Sequence, residues 1–470
     1  MKNKVKLCLL SLSIFLLAYV FYKSEIDYNG NRREYYFIYY IISLFFIICS
    51  TIIFFLSNKI FEYVKIIILS FFFFLYIAEI YLINTYKNKF ILEFETKRET
   101  LNTNKRLYKS MTGKIYDTRS ASTVFSNELE KGNEIQVAVP PVVYIKYKNR
   151  DIFPLSGVSN IKTLFCNESG YWVYYDSDRY GYSNPDEVWN EKNINILLIG
   201  DSYTHGVCVK KNENIASHLI KFSNKPLLNL GYLGNGPLLQ YATLREYLPK
   251  NVKNVVWLYY EGNDKSELIN ELKNDFLKNY LNDFNFSQRL KTKQKLIDEI
   301  NKKEIKLEHE YNKKQKIKEI KLYNKLKTNF SYYAFVRFIK LTEFRVLIYK
   351  TQNKNRKNIL DMKLITENKI FYENFELILK KTNNLLQNQN TNFIFVYLPE
   401  FKRFSKKYNN NDFLKIKKIV NNIGIKFIDI NNGVFSKYIN PKSLFLFGAD
   451  NHYNKEGYLE TARYIYKKLN

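Results

Sequence analysis

Cysteine and histidine are both scarce in this chain. Its 470 residues include four of each, together with nine prolines and sixteen glycines. The cysteines stand at positions 8, 49, 166 and 208, without a CxxC pair or a metal-type cluster, so we expect no metal and no cofactor. Cys166 and Cys208 could form a disulfide, but their spacing leaves both the pairing and the redox compartment open.

Acidic residues are too few to balance the basic ones. The chain has 73 Lys and Arg against 45 Asp and Glu, a formal charge of +28. Such an excess can indicate nucleic acid, acidic lipid or acidic polysaccharide as a partner. The lysines are spread along the chain without a nucleic-acid-binding motif, so we predict no nucleic acid partner. A general bias toward Lys, Asn, Ile, Tyr and Phe is the simpler interpretation of the charge.

Charge is nearly missing from three apolar segments at the start of the chain, at about 5–22, 35–56 and 60–83. Each has close to the ~20 residues that cross a ~30 Å hydrocarbon core. We predict a transmembrane region over 1–84, of about three helices, with the lipid bilayer as a partner. A signal peptide is the alternative for the first segment, because three lysines precede it. Glu79, an acid well inside the third segment, is predicted at an interface or a helix contact.

Residues 85–190 predict a connector and a small β-rich lead-in, with strands at 135–139, 142–147 and 171–175. From residue 191 onward, strands and helices alternate. Strands are predicted at 194–199, 226–230, 254–260, 393–398 and 425–430, and the last helix is capped by Asn454. This alternation predicts an α/β domain over 191–470, in which helices cover both faces of a parallel sheet.

Proline and glycine are both absent between residues 266 and 390. The region is rich in Lys, Glu, Asn and Leu, so we predict a helical insertion within the α/β domain. The simplest interpretation is a solvated arm. A lid over the site and a partner-binding arm are the functional alternatives.

Glycine and polar residues are concentrated where three predicted strands end. Ser202 lies in the turn after the first strand, Gly234 in the loop after the second and Asn263 in the loop after the third. The carboxyl ends of parallel strands form the ligand crevice of such sheets. A serine on a glycine-bounded turn after a rigid strand suits a nucleophile, although a plain strand-to-loop exit has the same pattern.

His452 is the histidine best placed to act as a base, because it has a carboxylate, Asp450, in the same tight turn. A base needs an orienting carboxylate on one ring nitrogen while the other nitrogen faces the nucleophile. We therefore predict that Asp450 accepts from Nδ1 of His452 and that Nε2 faces Ser202. Gly234 and Asn263 are candidate donors to an oxyanion. His205 is predicted to pack or to line the pocket.

Four short blocks, in order, resemble the SGNH/GDSL hydrolase superfamily over roughly residues 190–470. Two departures stand out: Tyr203 replaces the usual leucine after the serine, and the aspartate precedes the histidine by two residues rather than three. The matching blocks are Gly200-Asp201-Ser202, Asn229-x-Gly231-x-x-Gly234, Gly262-Asn263-Asp264 and Asp450-x-His452.

The resemblance implies a three-layer, flavodoxin-like parallel-sheet fold and assigns a role to each matching residue. Ser202 takes the place of the nucleophile, His452 that of the base and Asp450 that of its orienting carboxylate. The oxyanion hole is implied to consist of Ser202, Gly234 and Asn263.

A membrane anchor joined to such a domain resembles proteins that modify cell-surface polysaccharides. We therefore predict a membrane-anchored serine esterase that acts on acyl esters of a glycan, most simply acetyl esters, through an acyl-serine intermediate. An O-acyltransferase and a non-catalytic glycan-binding or assembly protein are the alternatives, and other polysaccharide-assembly proteins are candidate partners. The resemblance favours an extracytoplasmic soluble domain, whereas the Lys and Arg count slightly favours a cytoplasmic one.

Overall fold

The structure is a computed structural model that describes residues 2–30, 33–147, 151–328, 330–354, 358–406 and 408–470. The strands, in chain order, are β1 (Ile135–Val137), β2 (Lys162–Cys166), β3 (Val173–Asp176), β4 (Ile194–Gly200), β5 (Leu227–Asn229), β6 (Val252–Tyr260), β7 (Asn392–Leu398) and β8 (Lys426–Asp429).

Helices make up most of the remaining regular structure. They are α1 (Lys2–Phe21), α2 (Arg33–Phe55), α3 (Asn58–Thr112), α4 (Ala121–Glu130), α5 (Ser202–His205), α6 (Ile215–Ser223), α7 (Pro237–Tyr247), α8 (Asp264–Glu271), α9 (Asp275–Asn282), α10 (Gln294–Thr328), α11 (Phe330–Ile339), α12 (Thr342–Lys354), α13 (Asn358–Gln387), α14 (Asn411–Ile423), α15 (Ile430–Gly433) and α16 (Lys455–Leu469).

The chain divides into two units. The first comprises Met1–Thr96 and Ile320–Asp361, and the second comprises Lys97–Glu319 and Met362–Asn470. The domain limits drawn from the sequence stay predictions. The structure adds that the mainly helical region 266–390 is shared between the units, so that α11 and α12 belong with the apolar helices.

Among the described residues of the first unit, three helices are long and apolar enough to cross a membrane. They span Lys4–Asp27, Tyr35–Phe55 and part of Asn58–Thr112. Their length and composition support the predicted membrane association. Glu79 of α3 is fully buried, and its carboxylate accepts hydrogen bonds from the backbone N–H groups of Glu343 and Phe344, at 2.8 and 2.7 Å. Glu79 therefore makes a helix contact, one of the two settings predicted for it.

A three-stranded sheet forms the lead-in of the second unit. Strand β2 pairs in parallel with β1 and antiparallel with β3. The strand predicted at 142–147 is wrong, because Pro141–Lys146 is a 3₁₀ helix that starts with proline. Proline suits the first position of a helix, where its missing N–H costs nothing, and this preference overrides the β-branched side chains that follow.

The main sheet of the second unit has five parallel strands in the order β5-β4-β6-β7-β8. Alternate strand residues enter two hydrophobic cores, as expected for a parallel sheet buried on both faces. Helices α7, α13 and α14 cover one face, and α6 and α16 cover the other. The α/β prediction is therefore confirmed.

The order of the strands reverses at β4, because the chain first adds β5 on one side and then β6 on the other. In such sheets the ligand crevice lies beyond the carboxyl ends of the strands at the reversal point. The chain leaves β4 at Gly200 and β6 at Tyr260. The strand order therefore predicts that a ligand crevice lies next to the residues that directly follow these two strands.

Candidate functional site

Ser202 begins a one-turn helix, α5, directly after β4. Asp201 caps this helix, its Oδ1 accepting a hydrogen bond from the N–H of Tyr203 at 2.9 Å. A Cβ at Gly200 would lie 2.7 Å from the carbonyl oxygen of Leu258, so only glycine allows this close approach of β4 and β6. As the first residue of a helix, Ser202 has a backbone N–H without an intrahelical acceptor, which can bind an anion.

A chain of hydrogen bonds connects Ser202, His452 and Glu168. The Oγ of Ser202 lies 2.9 Å from Nε2 of His452, and Nδ1 of His452 lies 2.8 Å from Oε2 of Glu168. A carboxylate can only accept, so Nδ1 carries the proton and Nε2 accepts from the serine hydroxyl. This tautomer is the one a general base needs.

Glu168 is ionised in this arrangement. Burial alone would raise the pKa of Glu168, but the hydrogen bond and the charge of His452 outweigh it, and the net effect is a lowered pKa. A carboxylate of lowered pKa stays charged at neutral pH and would stabilise an imidazolium at His452.

Asp450 does not occupy the position predicted for it on His452. Its Oδ2 lies 3.7 Å from Nζ of Lys402 at the rim of the cleft, and its side chain is about half exposed. A tight turn, in which the N–H of Asn451 donates to the carbonyl of Ala449 at 2.8 Å, separates Asp450 from the histidine ring. Glu168, which reaches Nδ1 from the loop between β2 and β3, takes the place assigned to Asp450.

A disulfide between Cys166 and Cys208 links the loop of Glu168 to the turn of Ser202. Their Cα atoms are 5.2 Å apart, and they lie two residues before Glu168 and six after Ser202. Sequence had left this pairing open. Ligand-type atoms of Cys166, Glu168 and Cys208 lie within 4.8 Å of one another, but disulfide sulfurs lack the thiolate that a metal binds.

Asn229, in the second of the four matching sequence blocks, stabilises the turn that carries Ser202 through two hydrogen bonds. Its Nδ2 donates to the carbonyl of Thr204 at 2.8 Å, and its Oδ1 accepts from the N–H of Gly231 at 2.9 Å. A Cβ at Gly231 would collide with the Thr204 side chain. The Asn-x-Gly sequence therefore holds the end of β5 tightly against α5.

Asn263 lines the cleft beside Ser202, as the N-terminal cap residue of α8. Its Nδ2 donates to Oε1 of Glu267 at 2.9 Å. An amide nitrogen carries two hydrogens, and the bond to Glu267 uses one of them. The role of Asn263 as an oxyanion donor stays a prediction.

Gly234 stands apart from the residues that line the cleft. Its φ is +70°, and an added Cβ would lie 2.8 Å from Cβ of Pro140. Gly234 therefore packs closely against the lead-in. Its predicted part in an oxyanion hole is not tested by this packing.

Two carboxyl groups, of Asp201 and Glu267, lie buried next to Asn263. Burial raises the pKa of Asp201 to about 6, and burial together with the charges of Asp201 and Glu271 raises that of Glu267 to about 9. Glu267 is therefore largely protonated at neutral pH. A neutral acid can hold the Asn263 amide without placing a negative charge near a developing oxyanion.

The cleft has a volume of about 250 Å³, and its lining is mostly polar. Tyr203 is buried behind it, its ring stacked on Tyr260 with centroids 4.0 Å apart and lying 4.9 Å from the His452 ring. The tyrosine that replaces the usual leucine thus forms the wall against which His452 rests. The lining residues are Glu168, Ser202, Tyr203, Tyr260, Gly262, Asn263, Glu400, Lys402, Asp450, Asn451 and His452.

His205, three residues after Ser202, is packed in the interior, which is one of the two settings predicted for it. Its ring lies between those of Phe165, Tyr175 and Tyr232, with centroids 4.2, 5.1 and 4.7 Å away. Neither ring nitrogen has a hydrogen-bond partner among the described residues. Burial lowers the pKa of His205 to about 3.

His205→Phe is expected to weaken the acid sensitivity of the fold. Between pH 6.5 and about 3 the unfolded state binds a proton at His205 that the folded state does not, so stability falls as the pH falls through this range and is unaffected above it. By pH 4.5, about two pH units below the ordinary histidine pKa, the loss is about 3 kcal/mol. Thermal melts at pH 7 and pH 4.5 measure it, with His309→Gln as the control. An unchanged pH difference in His205→Phe would contradict this account.

The chain was compared with known proteins. No protein-family model matches it, and no curated protein matches it. Among solved structures it is similar to that of a protein from Desulfitobacterium hafniense DCB-2 assigned to the G-D-S-L lipolytic family. The TM-score is 0.30 and the identity 11%, over 58% of this chain and 99% of that one.

Proposed function

We propose that the protein is a membrane-associated serine esterase of the SGNH type, which cleaves acyl esters of a glycan. The observation that carries the proposal is the hydrogen-bonded series Glu168–His452–Ser202, with both bonds shorter than 3 Å. A nucleophile, a base and an orienting carboxylate in this geometry are the components of acyl-transfer catalysis.

The reaction follows from this geometry. Oγ of Ser202 attacks the acyl carbonyl carbon while Nε2 of His452 takes the hydroxyl proton, and Glu168 stabilises the imidazolium. The N–H of Ser202 and Nδ2 of Asn263 stabilise the oxyanion, with the N–H of Gly234 as the third predicted donor. The sugar alcohol leaves with the proton from His452. Water, activated by the same histidine, then releases the acid from the acyl-serine.

The sheet supports the SGNH assignment independently of the catalytic series. Counted along the chain, its five strands lie in the order 2-1-3-4-5, which is the flavodoxin-like order. Ser202 and Asn263 follow the two strands that flank the reversal of this order. The four sequence blocks and the strand order therefore favour the same fold.

Hydrolysis is favoured over transfer by the form of the cleft. Lys402 and Asp450 at its rim are 70% and 53% exposed in their side chains, so water can reach an acyl-serine. A glycan is proposed because the lining is polar and because apolar helices would hold the enzyme near a membrane. The disulfide favours an oxidising compartment, and hence the extracytoplasmic side of the membrane.

Mass spectrometry of reaction products tests this proposal. The purified full-length protein in detergent is incubated with an acetylated oligosaccharide, alone and with an unacetylated acceptor of different mass. We expect free acetate and a deacetylated sugar, without acetylation of the acceptor. An acetylated acceptor would instead establish an O-acyltransferase. No reaction, together with binding of the sugar, would favour the non-catalytic alternative.

Glu267 is proposed to position the oxyanion donor, which leads to a paired prediction. Asn263→Ala is expected to raise the activation barrier by about 3 kcal/mol, with the loss in kcat rather than KM. Glu267→Ala should cost less, and Glu267→Gln, which keeps an acceptor for the amide, should retain most of the activity.

The pH profile distinguishes positioning from a purely structural role. Ionisation of Glu267 near pH 9 would place a negative charge beside the oxyanion, so kcat of the parent enzyme should fall above that pH. Glu267→Gln cannot ionise and should lose this limb of the profile. An alkaline fall that persists unchanged in Glu267→Gln would remove Glu267 from the mechanism.

A further inference from the structure

An apolar stripe is exposed on α11, a helix of the first unit. The side chains of Tyr332, Phe335, Val336 and Ile339 are 64%, 59%, 36% and 55% exposed. They recur at helical spacing and so share one face of the helix. A continuous apolar face of this kind marks an interaction surface.

The opposite face of α11 packs on α3. The Phe338 ring lies 4.6 Å from that of Tyr76, and the Arg337 guanidinium lies 4.8 Å from the ring of Tyr86. Nζ of Lys87 lies 4.0 Å from the ring of Phe330. Helix α11 therefore buries one face against α3, and the apolar stripe lies on its opposite, exposed face.

The position of Glu79 along α3 indicates how far across a membrane the contact between α3 and the start of α12 lies. At ~1.5 Å per residue, Glu79 lies about 32 Å along α3 from Asn58, close to the ~30 Å thickness of a hydrocarbon core. Its carboxylate accepts from two N–H groups in the first turn of α12, where the helix dipole favours a negative charge. If Asn58 lies at one membrane boundary, α12 begins at the other.

Arg345 makes a second connection at that boundary. Its guanidinium donates to the hydroxyls of Tyr35 and Tyr39, at 3.2 and 3.3 Å, in the first turns of α2. Since α2 and α3 run in opposite directions across a membrane, the start of α2 and the Glu79 region of α3 share one boundary. Tyrosine is enriched at such boundaries.

We propose that α11 and the start of α12 form a membrane-surface element whose occupant is the lipid bilayer. The stripe of Tyr332, Phe335, Val336 and Ile339 lies along the boundary itself, against headgroups and the outer ends of the acyl chains. Lipid is the expected occupant because α11 packs on α3 at Tyr76 and Lys87, and the exposed Phe71–Phe74 run, which ends two residues before Tyr76, would be surrounded by the same bilayer. Residues 330–354 also carry five basic side chains against one acid, which suits anionic headgroups.

Spin-label accessibility tests the element in the full-length protein. Cys8 and Cys49 are replaced by alanine, and nitroxides are placed at Phe335→Cys, at Phe73→Cys as a lipid reference and at Lys314→Cys as an aqueous reference. The protein is inserted into nanodiscs of phosphatidylcholine and phosphatidylglycerol. We expect oxygen collisions to dominate at 335 as at 73, with nickel-chelate collisions several-fold lower than at 314.

Two results would overturn the proposal. Nickel accessibility at 335 equal to that at 314 would mean that the stripe faces water. Shielding from both oxygen and nickel would mean that a protein, either a second copy or another partner, covers it. A label at Ile339→Cys repeats the measurement if Phe335→Cys folds poorly, and Glu79→Ala, which lacks the cap, should raise nickel accessibility at 335 several-fold.

Discussion

Ser202→Ala is expected to reduce ester hydrolysis by a factor on the order of 10⁶, to the level of the uncatalysed reaction plus whatever the oxyanion donors still contribute. The reason is that alanine removes the atom that forms the covalent intermediate, so His452 has nothing to deprotonate. Initial rates with an acetylated oligosaccharide, measured on the full-length protein in detergent, give the size of the loss.

A matched control for this change is Ser436→Ala, since the exposed hydroxyl of Ser436 donates to the backbone carbonyl of Asn432 and lies outside the lining of the cleft. It should leave the rate unchanged. A fluorophosphonate probe, which labels activated serines covalently, should label the parent and Ser436→Ala but not Ser202→Ala. Labelling that persists in Ser202→Ala would move the nucleophile elsewhere.

Glu168→Gln is expected to lower kcat by roughly 10⁴-fold with little change in KM. The amide fits the same space, but it can donate to Nδ1 of His452, which favours the tautomer in which Nε2 carries the proton and cannot accept from Ser202. It also removes the charge that stabilises the imidazolium. The measurement is a kcat and KM determination for each variant, with Glu168→Asp as a conservative variant that should recover part of the rate.

Asp450→Asn is the comparison that decides between the two carboxylates. Asp450 contacts Lys402 at the rim rather than His452, so this variant should retain nearly all of the parent kcat. The reverse result, a large loss in Asp450→Asn and a small one in Glu168→Gln, would support the assignment drawn from the sequence over the one drawn from the structure.

Periodicity and turn residues were sufficient to locate the five strands of the main sheet and the residues at their ends. These features are local, because an apolar run, a glycine and a polar residue follow one another within about ten positions. Since the strands are parallel, their carboxyl ends then lie at one edge of the sheet. Ser202, Asn263 and His452 were identified in this way, and the structure places all three on one cleft.

Glu168 could not have been found by the same reasoning. It lies in an irregular loop of the lead-in, 284 residues from His452, and no local pattern distinguishes it from other exposed glutamates. The disulfide offered the one indirect signal, since pairing Cys166 with Cys208 would have brought residue 168 close to the serine turn. Asp450 was preferred because nearness in sequence suggested nearness in space, which the tight turn before His452 prevents.

The contacts of α11 and α12 with α3 could not be predicted for a related reason. The composition was considered over the whole region 266–390, in which the many charged residues of α10 outweigh the short aromatic helix α11 that follows it. Glu79 is buried because it accepts a hydrogen bond from the N–H of Glu343, 264 residues away. Local sequence patterns carry no information about such a distant contact.

The link between Cys166 and Cys208 has a practical consequence for how this protein can be divided. A fragment that begins at residue 191 would retain the whole parallel sheet, Ser202 and His452, yet it would lack Glu168 and leave Cys208 as a free thiol. Such a fragment could fold and bind substrate while being almost inactive. In the proposed mechanism the lead-in and the sheet form one catalytic unit, so a recombinant fragment needs to include both.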